Sequence, residues 1–328
     1  MVVNDFSDWI PMRVYWQDSR PMVDWGHLGA RRFVEPFFAQ TINHCVQHPA
    51  DLLFRHQTPL DSLGDIAATQ AGVRPTGFIF HMSRCGSTLL TQMLAAAPEN
   101  IVISEPGPVD AILRAHFSAL GVAEEQRVQW LQWLVSVLGW RRHPAETNLF
   151  IKFDCWHALF LPLIQRAFPG VPWIFIYREP LEVMASHLRQ RGAQMIAGVL
   201  EPDLLGWDPE TVARMTLNEY GARTLAKICS AALAEAQEGK GKLVNYHQLP
   251  DAIWPALMEY WNIKCSADGA AQMMKAAQWN AKNPVLPFEA DNQVKRDPAP
   301  AELRGIVRQW LDGIYQQLES QRSTSGFR

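Results

Sequence analysis

Gly77-Phe78-Ile79-Phe80-His81-Met82-Ser83-Arg84-Cys85-Gly86-Ser87-Thr88-Leu89-Leu90 joins three textures without a break. Residues 77–82 form a short apolar run of the kind that makes a buried strand. Residues 83–88 are small and polar, the composition of a tight turn. Leu89, Leu90, Met93 and Leu94 then recur at helical spacing. A strand that turns straight into a helix is the opening of a parallel α/β unit.

The pattern repeats downstream. Residues 101–103, 149–153, 173–177 and 243–246 read as strands, with helices predicted over 123–138, 156–168, 181–191, 211–238 and 254–261. Short apolar strands separated by long helices predict a parallel sheet of four to five strands, flanked by helices on both faces. Residues 280–300 are rich in Pro and Asn and read as irregular, followed by a closing helix over 301–318. Upstream, residues 1–75 are rich in Trp, Phe and Pro, with one helix predicted over 30–47 from Phe33, Phe37, Phe38 and Ile42. The expected organisation is an N-terminal accessory segment, 1–74, ahead of an α/β domain, 75–328.

Composition narrows the class. The 328 residues are 48% hydrophobic and 19% charged, which is globular. With 30 Lys+Arg against 33 Asp+Glu the net charge is −3, so no broad basic surface for nucleic acid is expected. The first twenty residues lack a basic stretch followed by an apolar one, and no apolar run is long enough to span a bilayer. Cys45, Cys85, Cys155, Cys229 and Cys265 are odd in number and include no C-x-x-C pair. A reduced, cytoplasmic protein is the expectation.

In parallel sheets ligands bind at the carboxyl ends of the strands, where residues 81–88 fall. Small residues let the backbone wrap so that successive N–H groups point inward at a helix N-terminus, a setting for phosphate. It is not a Walker A loop, because Ser87 stands where the lysine is required and His81 where the first glycine is. An ordinary strand-to-helix turn with a capping serine is the alternative.

Ser83-Arg84-Cys85-Gly86-Ser87-Thr88-Leu89-Leu90 resembles the 5′-phosphosulfate loop of the sulfotransferase family, which uses 3′-phosphoadenosine 5′-phosphosulfate (PAPS). Its style is that of bacterial members and tyrosyl-protein sulfotransferases, with Arg84 where many members carry Lys and Cys85 in place of the commoner Ser. After a later strand, Tyr177-Arg178-Glu179-Pro180-Leu181-Glu182-Val183-Met184-Ala185-Ser186 resembles the family's 3′-phosphate motif, R-x-P-x-[DE]-V-x-x-S. Arg178 leaves the strand as a charged fork suited to phosphate, and Pro180 suits a first helical turn. The resemblance covers about residues 75–290. It implies a three-layer fold like that of P-loop NTPases, PAPS as donor, 3′,5′-adenosine bisphosphate (PAP) as product, and no metal. Arg84, Cys85, Gly86, Ser87 and Thr88 would hold the phosphosulfate, and Arg178 and Ser186 the 3′-phosphate.

Further elements follow from the same resemblance. Lys152, inside an otherwise apolar strand, is costly to bury without an anion and resembles the lysine that meets the transferring sulfuryl group; a snorkelling edge lysine is the alternative. Glu105, ending the second strand, resembles the catalytic glutamate of the tyrosyl-protein branch; a structural ion pair is its alternative. Tyr246 resembles a nucleotide-pocket residue, and Lys282, with Arg296, the basic tail that closes over the nucleotide. His44 and His48 share a helix face, but nothing else in that segment supports a metal site. Trp130, Trp133 and Trp140 read as core, and residues 192–209 as an acceptor-side lid. A small-molecule kinase and a non-catalytic nucleotide-binding protein remain open alternatives. The acceptor, a small molecule, carbohydrate or peptide, is not readable from sequence.

Overall fold

The computed structural model describes residues 5–47, 55–117, 121–250, 252, 255–263, 265–280, 283–287, 299–325 and 327. Its centre is the sheet that residues 77–82 announce. Strand β4 (Pro75–His81) lies in the middle, with β5 (Asn100–Ser104), β6 (Asn148–Lys152), β7 (Trp173–Tyr177) and β8 (Lys242–Asn245) in the order β5-β6-β4-β7-β8. Every pairing in it is parallel. All residues of β5 and β7 are buried, which requires cover on both faces, so helices form a layer on each side. Each fully buried aliphatic or aromatic side chain there contributes about 1.5–3 kcal/mol. The predicted parallel sheet, with five strands, is the one observed.

Among the described residues ahead of β4, the main feature is a sheet in addition to the one expected helix. Strands β1 (Trp9–Gln17), β2 (Arg20–His27) and β3 (His56–Pro59) form an antiparallel sheet. The helix predicted over 30–47 shrinks to α1 (Phe38–Cys45), because Pro36 disfavours helical geometry in the residue before it and offers no N–H. Apolar side chains of this segment, from Phe6 to Ile66, belong to the same continuous core as the central sheet.

Several other helices differ from expectation at their ends. The element predicted over 211–238 is two helices, α9 (Pro209–Arg214) and α10 (Leu217–Gln237), because the Thr216 side chain accepts the Glu219 N–H at 3.2 Å and starts a new helix. The element over 156–168 begins as a 3-10 turn, Cys155–Phe160, with Pro162 inside the first turn of α6 (Leu161–Ala167). The irregular tail contains a short strand, Asn283–Pro287, paired with Trp279–Asn280. The closing helix breaks at Leu311 into Ala301–Trp310 and Asp312–Ser325. Trp130 and Trp140 are buried in the core, with Trp133 packed against it. No helix among the described residues is long and apolar enough to cross a membrane.

Candidate active site

Sheet register sets the site. Ser104 pairs with Lys152 and His81 with Ile176, so Glu105, Lys152, Met82 and Arg178 all emerge at one end of adjacent strands. Between β4 and helix α3 (Ser87–Ala96) the backbone winds through left-handed conformations at Ser83 (φ +79°), Arg84 (φ +50°) and Gly86 (φ +83°). No side chain caps the first turn of α3, leaving its N–H groups for an anion. Ser87 and Thr88 are buried in that turn. Cys85 points away, its thiol donating to the Ile176 carbonyl at 3.1 Å, and burial pushes that thiol up to about 12. Cys85 therefore anchors the loop to β7 and offers the site only its backbone.

On one side of β4 stands a compact charged group. Lys152 is wholly buried, its Nζ 2.8 Å from Glu105 Oε1 and 4.8 Å from the centre of the Phe37 ring. Beyond Glu105 the ammonium finds no acceptor among the described residues. His81 Nδ1 accepts the Ser83 N–H at 3.0 Å, so a neutral ring carries its proton on Nε2, which stands 3.3 Å from the same Glu105 oxygen but off the hydrogen-bonding line. Burial, reinforced by the Lys152 charge, pushes His81 below its ordinary value and keeps it neutral. Burial would raise the Glu105 carboxyl, but the Lys152 charge beside it holds it well below the usual carboxylate range. Glu105 itself sits at φ +56°, its N–H donating to the Lys152 carbonyl at 2.7 Å.

Across β4 lies a second group. Arg178 is buried, its Nε 2.6 Å from Glu182 Oε2 and its guanidinium stacked 4.1 Å from the centre of the Tyr246 ring. Tyr246 in turn rests against the glycine loop, so tightly that a Cβ on Gly86 would lie 2.6 Å from its ring. Gly86, Tyr246 and Arg178 thus form one stack from the loop to the end of β7. Gly86→Ala meets both that ring and a left-handed backbone, so it is expected to lower stability by about 1–3 kcal/mol. It should also displace Tyr246 from Arg178. Thermal melting and Tyr fluorescence check the two effects; wild-type values in both would show that the ring does not depend on the glycine.

Other expected site residues are placed less centrally. The Arg84 guanidinium reaches the end of α7 (Pro180–Arg189), donating to the Gln190 carbonyl at 2.8 Å and to its side-chain oxygen at 3.2 Å. Among the described residues no hydrogen bond or ion pair joins it to the Lys152 group. Ser186 is half-buried on α7, without a side-chain hydrogen bond among the described residues. Lys282 and Arg296, like His48, lie outside the described residues. Within residues 192–209, expected as a lid, Arg114 donates to the Val199 carbonyl at 2.9 Å and pairs with Glu201 at 2.8 Å.

His81 and Phe37 carry no site role in the sequence reading, whereas Glu182 fills the [DE] position of the motif at 178–186. His81 had a usable signal, a polar residue closing the central strand at the ligand end. Phe37 had none, since its contact joins segments more than a hundred positions apart. A further polar network also lies beside Lys152. Asp154 donates its N–H to His157 Nδ1 at 3.2 Å, so Nε2 donates to Asp110 Oδ1 at 2.9 Å. Trp156 and Arg114 also donate to Asp110, at 2.7 and 3.2 Å. Burial, with the Glu105 and Asp110 charges nearby, pushes the Asp154 carboxyl upward. Asp110, Asp154 and His157 present ligand atoms within 4.8 Å of one another, but Asp110 is already saturated by three donors.

No protein-family model matches the sequence, and no curated protein does. Among solved structures, the fold is similar to a sulfotransferase domain from the curacin biosynthetic pathway, at 15% identity and a TM-score of 0.43, covering 79% of this chain and 99% of that one. It is also similar to sulfotransferase STF9 from Mycobacterium avium, at 13% identity and a TM-score of 0.41, covering 75% of this chain and 78% of that one. A sulfotransferase from Alicyclobacillus acidocaldarius aligns at 13% identity and a TM-score of 0.37, over 75% of this chain and 95% of that one.

Proposed function

We propose that this chain is a sulfotransferase that moves a sulfuryl group from PAPS to a hydroxyl or amine of an acceptor. The observation that carries the reading is Lys152: a fully buried ammonium with hydrogen-bonding capacity beyond Glu105, at the strand ends beside an uncapped helix N-terminus. A buried cation so placed is costly unless an anion completes it. The loop 83–88 with α3 holds the 5′-phosphosulfate through backbone N–H groups. Arg178 and Ser186 hold the 3′-phosphate, and the Tyr246 ring stacks between. Arg84 supports the loop, its guanidinium donating to Gln190 at the end of α7.

Transfer is an in-line displacement. The acceptor oxygen bonds to sulfur, the sulfur–oxygen bond to the 5′-phosphate breaks, PAP departs, and the acceptor's proton passes to a base. Lys152 meets the negative charge that develops on the departing oxygen. Glu105 is the base, and its pairing with Lys152 gives the two roles a connection: as the ammonium turns toward the leaving group, Glu105 loses the charge that holds its proton affinity down. Its strength as a base then rises in the step that needs one. Arginine and lysine supply the positive charge, so no metal is invoked. Residues 75–328 make up the catalytic domain, in a protein we place in the cytoplasm.

Thermal-shift titration tests the reading. PAP without magnesium is expected to raise the melting temperature by about 4 °C at a hundredfold excess over Kd, and ATP by less. Stabilisation by ATP that needs magnesium, with none by PAP, would instead support a kinase.

A further inference from the structure

Lys152 lies at the open end of the sheet, where strand-end side chains ordinarily meet solvent, yet none of it is exposed. The ring over its ammonium comes from the N-terminal segment. Phe37 faces Lys152 Nζ at 4.8 Å while remaining only half-buried itself. The chain around Phe37 is fastened on both sides. Upstream, Arg32 donates to the Ala95 and Ala97 carbonyls at the far end of α3, at 3.1 and 2.8 Å. Phe33 is buried, with the Arg142 guanidinium over its ring at 5.5 Å. Downstream, Gln40 accepts the Phe37 N–H at 3.2 Å, and Thr41 donates to Glu35 at 2.6 Å. The strap thus starts at the C-terminal end of α3 and sets one ring over the Lys152 ammonium.

Strand order says which side of the reaction that ring occupies. Arg178 leaves β7, on one side of β4, and Lys152 leaves β6, on the other. A donor held between Arg178 and the glycine loop points its transferring group at Lys152. Phe37 stands over Lys152 Nζ, and the acceptor has to arrive at the transferring group that Lys152 meets. We propose that Phe37 is an acceptor-positioning residue: the N-terminal segment supplies the acceptor-side wall of the site, and its ring keeps water from Lys152 until an acceptor lies against it. The proposal rests on the sulfotransferase reading and gives the first 74 residues a role in the reaction.

Two measurements on the full chain test it. The first is the rate at which an N-hydroxysuccinimide ester acetylates Lys152, read by peptide mass spectrometry. The second is acceptor-free release of PAP from PAPS, in which water oxygen takes the sulfuryl group, giving PAP, sulfate and protons. Phe37→Ala is expected to raise acetylation at least tenfold and hydrolysis at least fivefold, with PAP affinity within threefold of wild type. Phe37→Tyr should restore wild-type values in both. Phe37→Leu serves if the alanine variant melts early, and should fall between the two. A folded Phe37→Ala or Phe37→Leu protein that acetylates Lys152 no faster than wild type overturns the proposal. Failure of PAP to bind wild type would remove the parent reading, whereas PAP binding with unchanged acetylation removes this inference alone.

Discussion

On the proposed reading, Lys152→Met is expected to lower sulfuryl transfer by about two to three orders of magnitude, the range for removing one preorganised charge stabiliser from a transition state. It also destabilises the fold, for a separate reason. Glu105 and Lys152 form an ion pair at 2.8 Å in which the lysine is wholly buried and the glutamate partly exposed, and deleting the lysine leaves the carboxylate without its main partner, at about 1–3 kcal/mol. Lower activity in the single variant would therefore be ambiguous. The double variant Lys152→Met/Glu105→Gln separates the effects, since a neutral amide beside a methionine no longer strands a charge. Its melting temperature should return most of the way to wild type while turnover stays down. The coupling between the two sites, measured as a double-mutant cycle in stability, should exceed about 1 kcal/mol. If the double variant regained turnover along with stability, Lys152 would be a structural cation and the alternative of a plain ion pair for Glu105 would hold.

The parts of this site that are local in the chain could be read from it. The strand, turn and helix at residues 75–96 need only an apolar run, small polar residues and a glycine, all adjacent, and Arg178 followed by Pro180 marks a strand-to-helix junction equally well. The N-terminal sheet was hidden because its alternation is broken. Register shifts between Pro11 and Arg13 in β1, and β2 buries Asp24, held by Gln57 at 2.9 Å, by Arg13 at 3.6 Å and by Arg55. A bulge and a buried acid together erase the period of two that a strand search relies on. The pairing of Lys152 with Glu105 was half legible, since each residue is unusual in its own strand, but only register brings their side chains to one point. Phe37 belongs to neither case: no local pattern distinguishes it from Phe33 or Phe38, which are core.

At the other end of the donor, Arg178→Lys is expected to abolish most of the preference for PAP over adenosine 5′-monophosphate. The wild-type guanidinium can offer a planar fork to a 3′-phosphate while its face stays on the Tyr246 ring at 4.1 Å. A lysine keeps the charge but loses both the fork and the stacking. Charge-assisted hydrogen bonds are worth about 1.5–3 kcal/mol each, so PAP affinity should fall about 10–100-fold while affinity for the monophosphate, which has no 3′ group, changes little. Arg178→Ala is the less informative variant, because it leaves the buried Glu182 carboxylate without its 2.6 Å partner and stability suffers for that reason alone. Pairing it with Glu182→Gln removes the stranded charge and lets the loss of phosphate recognition be measured on a folded protein. Calorimetric titration of both ligands against wild type, Arg178→Lys and Arg178→Ala/Glu182→Gln gives the ratio directly. A ratio unchanged in both variants would place the 3′-phosphate elsewhere and leave Arg178 as the partner of Glu182 and Tyr246, with the nucleotide reading of this strand end withdrawn.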